Sequence, residues 1–382
     1  MKRTRLAIGI LGLFLSAPLA QAEWTSPKRL TWTSGASSSP SVAVDSAGKL
    51  HVVWYDDTSG NPEIYYRRSA DGGATWDAIK RLTWTSGNSY YPVIAVDSTD
   101  AIHVIWQDSP AGDHELYCRK SADGGLTWSA MKRLTWNSAL CWAPATAVDS
   151  SDTIHIVWHD FVSGNDELYH KKSTDGGSTW STSKRLTWNS DFSWNPALTI
   201  SSGNAIHVVW EEYTPGNAEI FYRRSPDGGA TWDASKRLTW NTGTSEVPAL
   251  AADSNDHIHV VWYDDSPGNN EVYYKKSSDG GVSWEASRRL TVNSGSSITP
   301  VIAINSNDHI HVFWPDTTPG GYEIYYKNSL DGGTTWSADQ RLTWTSADSI
   351  NAAIGIDSAN TLHVVFVDKT PGNYEIYYMK GN

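Results

Sequence analysis

Ser69-Ala-Asp-Gly-Gly-Ala-Thr-Trp76 is the most informative stretch of this sequence, because nearly the same eight residues return five more times along the chain. Successive copies start 52 residues apart, at Ser121–Trp128, Ser173–Trp180, Ser225–Trp232, Ser277–Trp284 and Ser329–Trp336. A period of this length is typical of a propeller or a solenoid, in which each repeat buries its apolar face against the next. The chain therefore consists of several copies of one supersecondary unit.

Within each copy, the Asp-Gly-Gly run predicts a tight turn. Glycine adopts positive φ without a steric penalty, and an Asp side chain accepts hydrogen bonds from backbone N–H groups just ahead of it. Thr75 and Trp76 then favour a return to extended structure. We interpret the stretch as a hairpin turn with a tryptophan anchor.

Short runs of β-branched and aromatic residues predict four strands per repeat, A to D. In the first repeat they are Ser41–Asp45, Leu50–Tyr55, Glu63–Arg67 and Lys80–Trp84. Strands A to C occur seven times, and the count of D strands closes if the N-terminal strand 28–32 completes the last repeat. Such a join removes the open sheet edge. We predict an all-β, seven-bladed β-propeller of four-stranded blades, closed by its own N-terminal strand.

The N-terminus has the features of a secretory signal peptide. A basic start is followed by the apolar run Leu6–Leu15 and by the small-residue cleavage site Ala20-Gln-Ala22. We therefore expect a signal peptide at 1–22, one propeller domain at 23–382, and a secreted or periplasmic protein. No later stretch approaches the roughly 18 apolar residues that a membrane helix needs, so we expect no membrane insertion.

Charge argues against nucleic acid as a partner. The chain carries a formal net charge of −12 at pH 7, and removal of the basic start makes it more negative. Nucleic acids and anionic membranes both attract basic patches. The two cysteines, Cys118 and Cys141, stand in unrelated columns of the repeat, which gives no reason to expect facing Cβ atoms, and their pairing stays open.

The recurring pattern Ser-x-Asp-x-Gly-x-Thr-Trp resembles the Asp-box, or BNR repeat, of sialidase-like propellers, over essentially all of 23–382. The resemblance implies a structural box on the C–D turn of each blade, on the face opposite the active site. The family includes sialidases, other glycosidases, sugar-binding propellers and non-enzymatic assembly or receptor proteins. The motif therefore indicates fold more than chemistry.

The resemblance also implies what an active sialidase needs: an arginine triad for the substrate carboxylate, a Tyr nucleophile activated by a Glu, an Asp acid/base and an Arg-Ile-Pro motif. Every arginine past the basic start lies in one of two repeated columns, at the end of strand C or in strand D, and no Arg-Ile-Pro is present. Active sialidases are also usually six-bladed. We therefore expect a non-sialidase member of the family.

Positions that break the repeat are the candidates for specific function. Two of the 21 tryptophans stand outside the repeated columns, and both fall in one column of the loop predicted between strand D and the next strand A: Ser38, Tyr90, Trp142, Trp194, Glu246, Ile298 and Ile350. The next column and the residues after the strand B tryptophan also vary. In a propeller these positions ring the mouth of the central channel, opposite the boxes.

Aromatic side chains at this mouth predict a carbohydrate site, because the C–H face of a sugar stacks on an aromatic ring. The candidate ligand-binding residues are Tyr55, Tyr90, Tyr91, Trp142, Phe192, Trp194 and Tyr263, with His159, Asn195, Glu211 and Glu246 to bond hydroxyls. The alternative is that these side chains only plug the channel. The expected partner is a carbohydrate or glycoconjugate, and a protein partner is the other reading.

Glu211 and Glu246 are the candidate catalytic pair, since they are pattern-breaking acids on neighbouring blades, with Asp191 and Asp348 behind them. Glycoside hydrolysis uses two carboxylates about 5–5.5 Å apart for retention or about 6.5–9.5 Å apart for inversion. Lectin-like binding, hydrolysis and a protein-interaction scaffold stay open as functions.

A column of seven histidines, one per blade, runs from His51 to His363. Histidines on different blades lie too far apart to share an ion at about 2 Å, so we expect them to form structural hydrogen bonds. The acidic columns that begin at Asp56 and Glu63 flank the B–C loop, where turn capping and pairing with Lys or Arg are favoured over calcium binding. We expect no metal site and no cofactor.

Overall fold

The structure, a computed structural model, describes residues 23–110, 112–136, 140–162, 164–214 and 216–382. The predicted signal peptide, residues 1–22, lies outside the described residues, so it stays a prediction. All regular structure in the described ranges is β-strand. No helix long and apolar enough to cross a membrane occurs among these residues.

The strands form seven four-stranded antiparallel sheets, which are the blades. The N-terminal strand is β1 (Lys28–Arg29). Blade 1 consists of β2 (Ser37–Val44), β3 (Leu50–Asp56), β4 (Glu63–Ser69) and β5 (Lys80–Arg81). Blade 2 consists of β6 (Ser89–Val96), β7 (Ile102–Asp108), β8 (Glu115–Ser121) and β9 (Lys132–Arg133). Blade 3 consists of β10 (Cys141–Val148), β11 (Ile154–Asp160), β12 (Glu167–Ser173) and β13 (Lys184–Arg185).

Blade 4 consists of β14 (Ser193–Ile200), β15 (Ile206–Glu212), β16 (Glu219–Ser225) and β17 (Lys236–Arg237). Blade 5 consists of β18 (Ser245–Ala252), β19 (Ile258–Asp264), β20 (Glu271–Ser277) and β21 (Arg288–Arg289). Blade 6 consists of β22 (Val301–Ile304), β23 (Ile310–Asp316), β24 (Glu323–Ser329) and β25 (Gln340–Arg341). Blade 7 consists of β26 (Ser349–Ile356), β27 (Leu362–Asp368), β28 (Glu375–Gly381) and the N-terminal β1.

The ring closes through the N-terminal strand. In β1, Lys28 pairs with Tyr378 and Arg29 pairs with Tyr377 of β28, both antiparallel. A bridge between Trp24 and Gly381 extends the join. The prediction of a seven-bladed propeller closed by its own N-terminal strand is confirmed.

The fourth strand of each blade is shorter than predicted, two residues instead of five. After Arg29, the backbone N–H of Leu30 still donates to the Ile376 carbonyl, at 2.7 Å. The Ile376 N–H then donates to the side-chain hydroxyl of Thr31, at 2.8 Å. The threonine hydroxyl of the Leu-Thr pair thus accepts the hydrogen bond that a backbone carbonyl of the fourth strand would otherwise accept. The same side-chain bond recurs in all seven blades.

The recurring box is a turn held by its own side chains, as predicted. Asp71 accepts hydrogen bonds from the backbone and the hydroxyl of Thr75, at 2.8 and 2.5 Å, and Ser69 accepts one from the N–H of Gly73, at 2.8 Å. Gly73 has a φ of 87°, and a Cβ there would lie 2.2 Å from the Tyr378 hydroxyl of the neighbouring blade. The box therefore also fixes the distance between blades.

The apolar core lies between the blades. The second strand of six blades carries a tryptophan that is at most 1% exposed: Trp54, Trp106, Trp158, Trp210, Trp262 and Trp314. Between blades 4 and 5, for example, Val209 and Ile220 pack with Val260 and Trp262. Burial of these rings is the largest apolar contribution that each interface makes.

The repeated polar columns are structural, as predicted. His51 Nδ1 lies 2.8 Å from the Tyr66 hydroxyl, and equivalent contacts recur in four other blades. Glu63 pairs with Arg81 at 2.8 Å, and Asp56 accepts the N–H of Thr58 at 2.8 Å to cap the B–C turn. The arginine pair of Glu63 recurs in all seven blades.

Neither Cys118 nor Cys141 forms a disulfide within the described residues, and both side chains are buried. Cys141 donates to Asp160 at 3.2 Å, in the position where most blades have a serine. Burial raises the pKa of Cys118 to about 12, so this thiol stays protonated and unreactive at neutral pH.

Candidate functional site

The column that contains Trp142 and Trp194 and the column after the strand B tryptophan lie on neighbouring strands and face each other directly. The first strand of a blade starts at the channel mouth, on the face opposite the boxes, where the second strand ends. Trp142 pairs with His159, Trp194 with Glu211 and Glu246 with Tyr263. The first column was predicted in a loop, and this is wrong for six blades, because the first strand begins four residues earlier than predicted. Only in blade 6 does the strand start after the column.

A bulge explains why these positions looked like a loop. The residue after the first column has positive φ in every blade, among them Tyr91 at 49°, Asn195 at 49° and Val247 at 48°. A proline follows in six blades, and pairing is interrupted for two residues. Positive φ is costly for a branched residue such as Val247, roughly 1–3 kcal/mol. Because all seven blades repeat it, the bulge belongs to the architecture.

The bulge residues and the prolines line the central channel. A cavity of about 440 Å³ lies between them, with contributions from six blades that include Tyr91 and Val247. The aromatic side chains at the mouth therefore do not fill the channel. This argues against a role restricted to plugging it.

Four aromatic side chains of blades 1 to 3 form one continuous surface, which we call the aromatic surface: Tyr55, Tyr90, Tyr91 and Trp142. Ring centroids are 5.0 Å apart for Tyr55 and Tyr90, 5.9 Å for Tyr90 and Tyr91, and 6.3 Å for Tyr91 and Trp142. Tyr91 is 41% exposed, which is high for an aromatic residue in a strand. The surface offers ring faces beside the cavity.

His114 supports the aromatic surface, although it is not among the site residues predicted from the sequence. Its ring stacks on Trp142 with centroids 4.7 Å apart, and its Nδ1 is hydrogen-bonded to the Gln107 side chain. Burial lowers the pKa of His114, so the imidazole is neutral at pH 7. The sequence does mark this position, because the column just before the third strand varies as much as the columns that contain Trp142, Tyr91 and His159. Its residues are Pro62, His114, Asp166, Ala218, Asn270, Tyr322 and Tyr374.

The other predicted aromatics form a separate group in blade 4. Trp194 stacks on Phe192 with centroids 4.9 Å apart and meets Tyr213 edge to face at 5.1 Å. Its indole N–H donates to Asp166 at 2.6 Å. The expectation of one aromatic cluster is therefore corrected to two groups, because Trp142 and Trp194 occupy equivalent places on different blades.

Acidic and phenolic side chains of blades 4 and 5 form the acidic cluster: Glu211, Tyr213, Glu246 and Tyr263. The Tyr263 hydroxyl donates a hydrogen bond to Glu246. Burial and the nearby charges of Glu211 and Glu246 raise the pKa of Tyr213. Tyr213 was missed in sequence because the column after the second strand, to which it belongs, was not compared between repeats.

Glu211 is the most perturbed acid of the site. It is 2% exposed, and its Oε1 accepts hydrogen bonds from the Asn195 amide at 2.9 Å and from the Val247 N–H at 2.6 Å. Burial raises its pKa to about 7, and the charge of Glu246 adds to the shift. A carboxyl group of this kind exchanges a proton near neutral pH, which is what a general acid requires.

The remaining candidates are placed as follows. His159 is 8% exposed, its Nδ1 has no hydrogen-bond partner among the described residues, and burial lowers its pKa to about 4. Within the described residues, Asp191 and Asp348 form no hydrogen bond with the acidic cluster; they accept the backbone N–H groups of Phe192 and Tyr322, at 2.9 and 3.0 Å. These two acids therefore order loops.

The acidic cluster has no cationic partner within the described residues. The main electrostatic influences on Glu211, Tyr213 and Tyr263 come from acidic and phenolic groups and include no Lys or Arg. The strand D arginines Arg81, Arg185 and Arg237 are paired with the buried glutamates of the Glu63 column.

Comparisons with known proteins agree with this architecture. Residues 189–370 match the family model of the BNR repeat-like domain. A sialidase of Bacteroides fragilis (strain YCH46) is 25% identical over 306 residues, which are 75% of this chain and 50% of that protein. The chain thus spans about half the length of this curated relative.

Two solved structures share the fold at low identity. The Hadza microbial sialidase Hz136 is 17% identical, with a TM-score of 0.54 over 86% of this chain and 76% of that one. A polysaccharide lyase of family PL25, an ulvan lyase, is 10% identical, with a TM-score of 0.63 over 92% of this chain and 95% of that one. Residues 189–370 thus match the BNR repeat-like domain, and the Asp-boxes and seven closed blades of the chain are similar to those of sialidase-like BNR-repeat propellers.

Proposed function

We propose that the protein binds carbohydrate at the mouth of its central channel through the aromatic surface. The observation that carries the proposal is the continuous set of rings from Tyr55 to Trp142, set beside an open cavity and 41% exposed at Tyr91. Aromatic rings that are held by neighbouring rings lose little entropy when a sugar stacks on them. Carbohydrate-processing relatives with this fold support the proposal.

The expected ligand is a neutral glycan. The acidic cluster adjoins the mouth, and the main electrostatic influences on Glu211 and Tyr263 include no Lys or Arg. A carboxylated or sulfated sugar placed there would meet like charges without a compensating cation. We therefore do not propose sialidase activity for this chain, although the Bacteroides relative is named a sialidase.

A glycan array tests the proposal, with the full chain as wild type, Trp142→Ala and Trp188→Ala. Trp188 is 64% exposed on the outer edge of blade 3, so its loss is a matched control for the removal of a surface tryptophan. We expect neutral glycans to be retained by wild type and Trp188→Ala and lost from Trp142→Ala. A blank array from a folded protein contradicts the proposal and favours a protein partner.

The second candidate function is glycoside hydrolysis, favoured by the pKa of about 7 at Glu211 and by the hydrogen-bonded Glu246–Tyr263 pair. Glu211 would protonate the leaving-group oxygen, and Glu246 would act as the second carboxylate. A panel of aryl glycosides tests it with Glu211→Gln and Glu246→Gln, and with exposed Glu285→Gln as a control. Turnover that both site variants retain would reject this assignment.

A further inference from the structure

One turn on the box face carries three metal-type ligands. Asp253 Oδ1 accepts the backbone N–H groups of Asn255 and His257, both at 2.9 Å, which closes the turn between β18 and β19. Its other oxygen, Oδ2, lies 2.7 Å from His257 Nδ1 and 3.3 Å from His259 Nε2. The three ligand atoms all lie within 4.8 Å of one another.

Burial and tautomer suit these side chains to a metal. The side chains of Asp253 and His259 are 4% and 0% exposed, whereas that of His257 is 27% exposed. His259 Nδ1 lies 2.7 Å from the Tyr274 hydroxyl. When Nδ1–H donates to that oxygen, the lone pair of Nε2 points toward Asp253. A metal-ligating histidine is commonly oriented in this way, by a hydrogen bond from its other ring nitrogen.

We propose that Asp253, His257 and His259 bind one transition-metal dication of the Zn²⁺ type, with water in the remaining position. Two imidazoles and one carboxylate favour zinc over calcium or magnesium. Bonds of about 2.0–2.1 Å in a tetrahedral site place donor atoms roughly 3.3 Å apart. Asp253 and His259 already have this separation, and the more exposed His257 ring moves by roughly 0.6 Å to reach it.

The repeat shows why the site is confined to blade 5. The position of His257 is occupied elsewhere by Lys49, Ala101, Thr153, Ala205, His309 and Thr361. Blade 6 has both histidines, His309 and His311, but Asn305 replaces the aspartate. There, His311 Nε2 is buried without a hydrogen-bond partner in the described structure. The expectation of no metal site considered one histidine per blade and overlooked this second histidine.

Lys276 lies near the three ligands and should limit the affinity of the site for a metal ion. The charge of Lys276 acts on His259, where it opposes a positive charge. Its ammonium is 3.2 Å from the Gly332 carbonyl, which holds it in place. Because this cation weakens the site, the metal should dissociate on chelation rather than be held permanently. The site lies on the face opposite the aromatic surface, so the proposal is independent of the carbohydrate proposal.

Calorimetric titration of ZnCl₂ into the tag-free, chelator-stripped full chain tests the site. We expect one equivalent to bind to the wild type. His257→Ala should weaken the affinity by at least about tenfold, whereas His309→Ala, the same change in blade 6, should leave it unchanged. Tyr274→Phe, which removes the partner of His259 Nδ1, should weaken it by about tenfold.

Asn305→Asp provides a gain of function, because it completes the same three ligands in blade 6. We expect the stoichiometry to rise from one to two. Circular dichroism in EDTA checks that each variant is folded, and the His257→Ala and His309→Ala pair decides the matter if Asn305→Asp does not fold. The proposal is overturned if the wild type takes up no zinc saturably, or if His257→Ala binds zinc as the wild type does.

Discussion

Glu211 Oε1 in blade 4 accepts a hydrogen bond of 2.6 Å from the backbone N–H of Val247 in blade 5. Val247 is the bulge residue of its blade, with a φ of 48°. The side chain with the most perturbed carboxyl pKa of the mouth therefore also joins two blades. Its charge state should affect both the stability of the propeller and the chemistry of the mouth.

Glu211 should make stability depend on pH. Burial raises its folded-state pKa from 4.5 to about 7, so the folded protein keeps a proton that the unfolded chain releases. The contribution of this group is fully present below pH 4.5 and is lost as the pH rises to 7, by at most about 3 kcal/mol. Glu211→Gln should flatten this decline. Urea unfolding at pH 4.5, 6 and 7.5 measures it, and an equal decline in the variant would contradict the account.

Thr187 should stabilise blade 3 through its hydroxyl alone. This buried side chain accepts the N–H of Leu168 at 2.8 Å in place of a backbone partner. Thr187→Val keeps the shape but leaves the N–H unsatisfied, at a cost of about 1–3 kcal/mol. Thr187→Ser keeps the hydroxyl and should lose clearly less. Equal losses in denaturant unfolding would show that the hydroxyl is not responsible.

Two tryptophans of the repeat should differ sharply in their contribution to stability. Trp210 is 1% exposed in the interface between blades, so Trp210→Ala should cost roughly 3–5 kcal/mol. Trp188 is 64% exposed, and the cations of Arg185 and Arg223 lie over its ring, each 5.7 Å from the ring centroid. Trp188→Ala should cost less than about 1 kcal/mol. Chemical unfolding of both variants checks the order, which a reversed ranking would refute.

The N-terminal strand should be required for a closed ring. Without residues 23–31, β28 would lose its partner in β1, and the edge of blade 7 would be exposed. An unpaired edge lowers the melting temperature and promotes association. A chain that starts at residue 23 is the matched control. Size-exclusion chromatography and thermal melts compare the two, and a truncated chain that is equally stable and monomeric would argue against closure by this strand.

The repeat predicted the blade count and the closing strand because both follow from counting copies. It did not predict where the first strand begins. Ser38 pairs with Tyr55 and Tyr90 pairs with Gln107 on the far side of a bulge, and the positive φ of that bulge leaves no trace in a single repeat. Comparison of the repeats also placed Trp142 and Trp194 in one cluster. Residues in one column of the repeat occupy equivalent positions on different blades, which need not be neighbours in space. His114 and Tyr213 contact the site from the B–C loops, whose columns vary but were not compared.

The affinity of Trp142→Ala for a glycan retained by the wild type tests whether the aromatic surface binds carbohydrate. Isothermal titration at pH 7 should show a loss of about tenfold, close to 1.4 kcal/mol and the size expected for one stacked ring. Trp188→Ala should bind as the wild type does. An unchanged affinity in Trp142→Ala, with its fold confirmed by circular dichroism, would contradict the account.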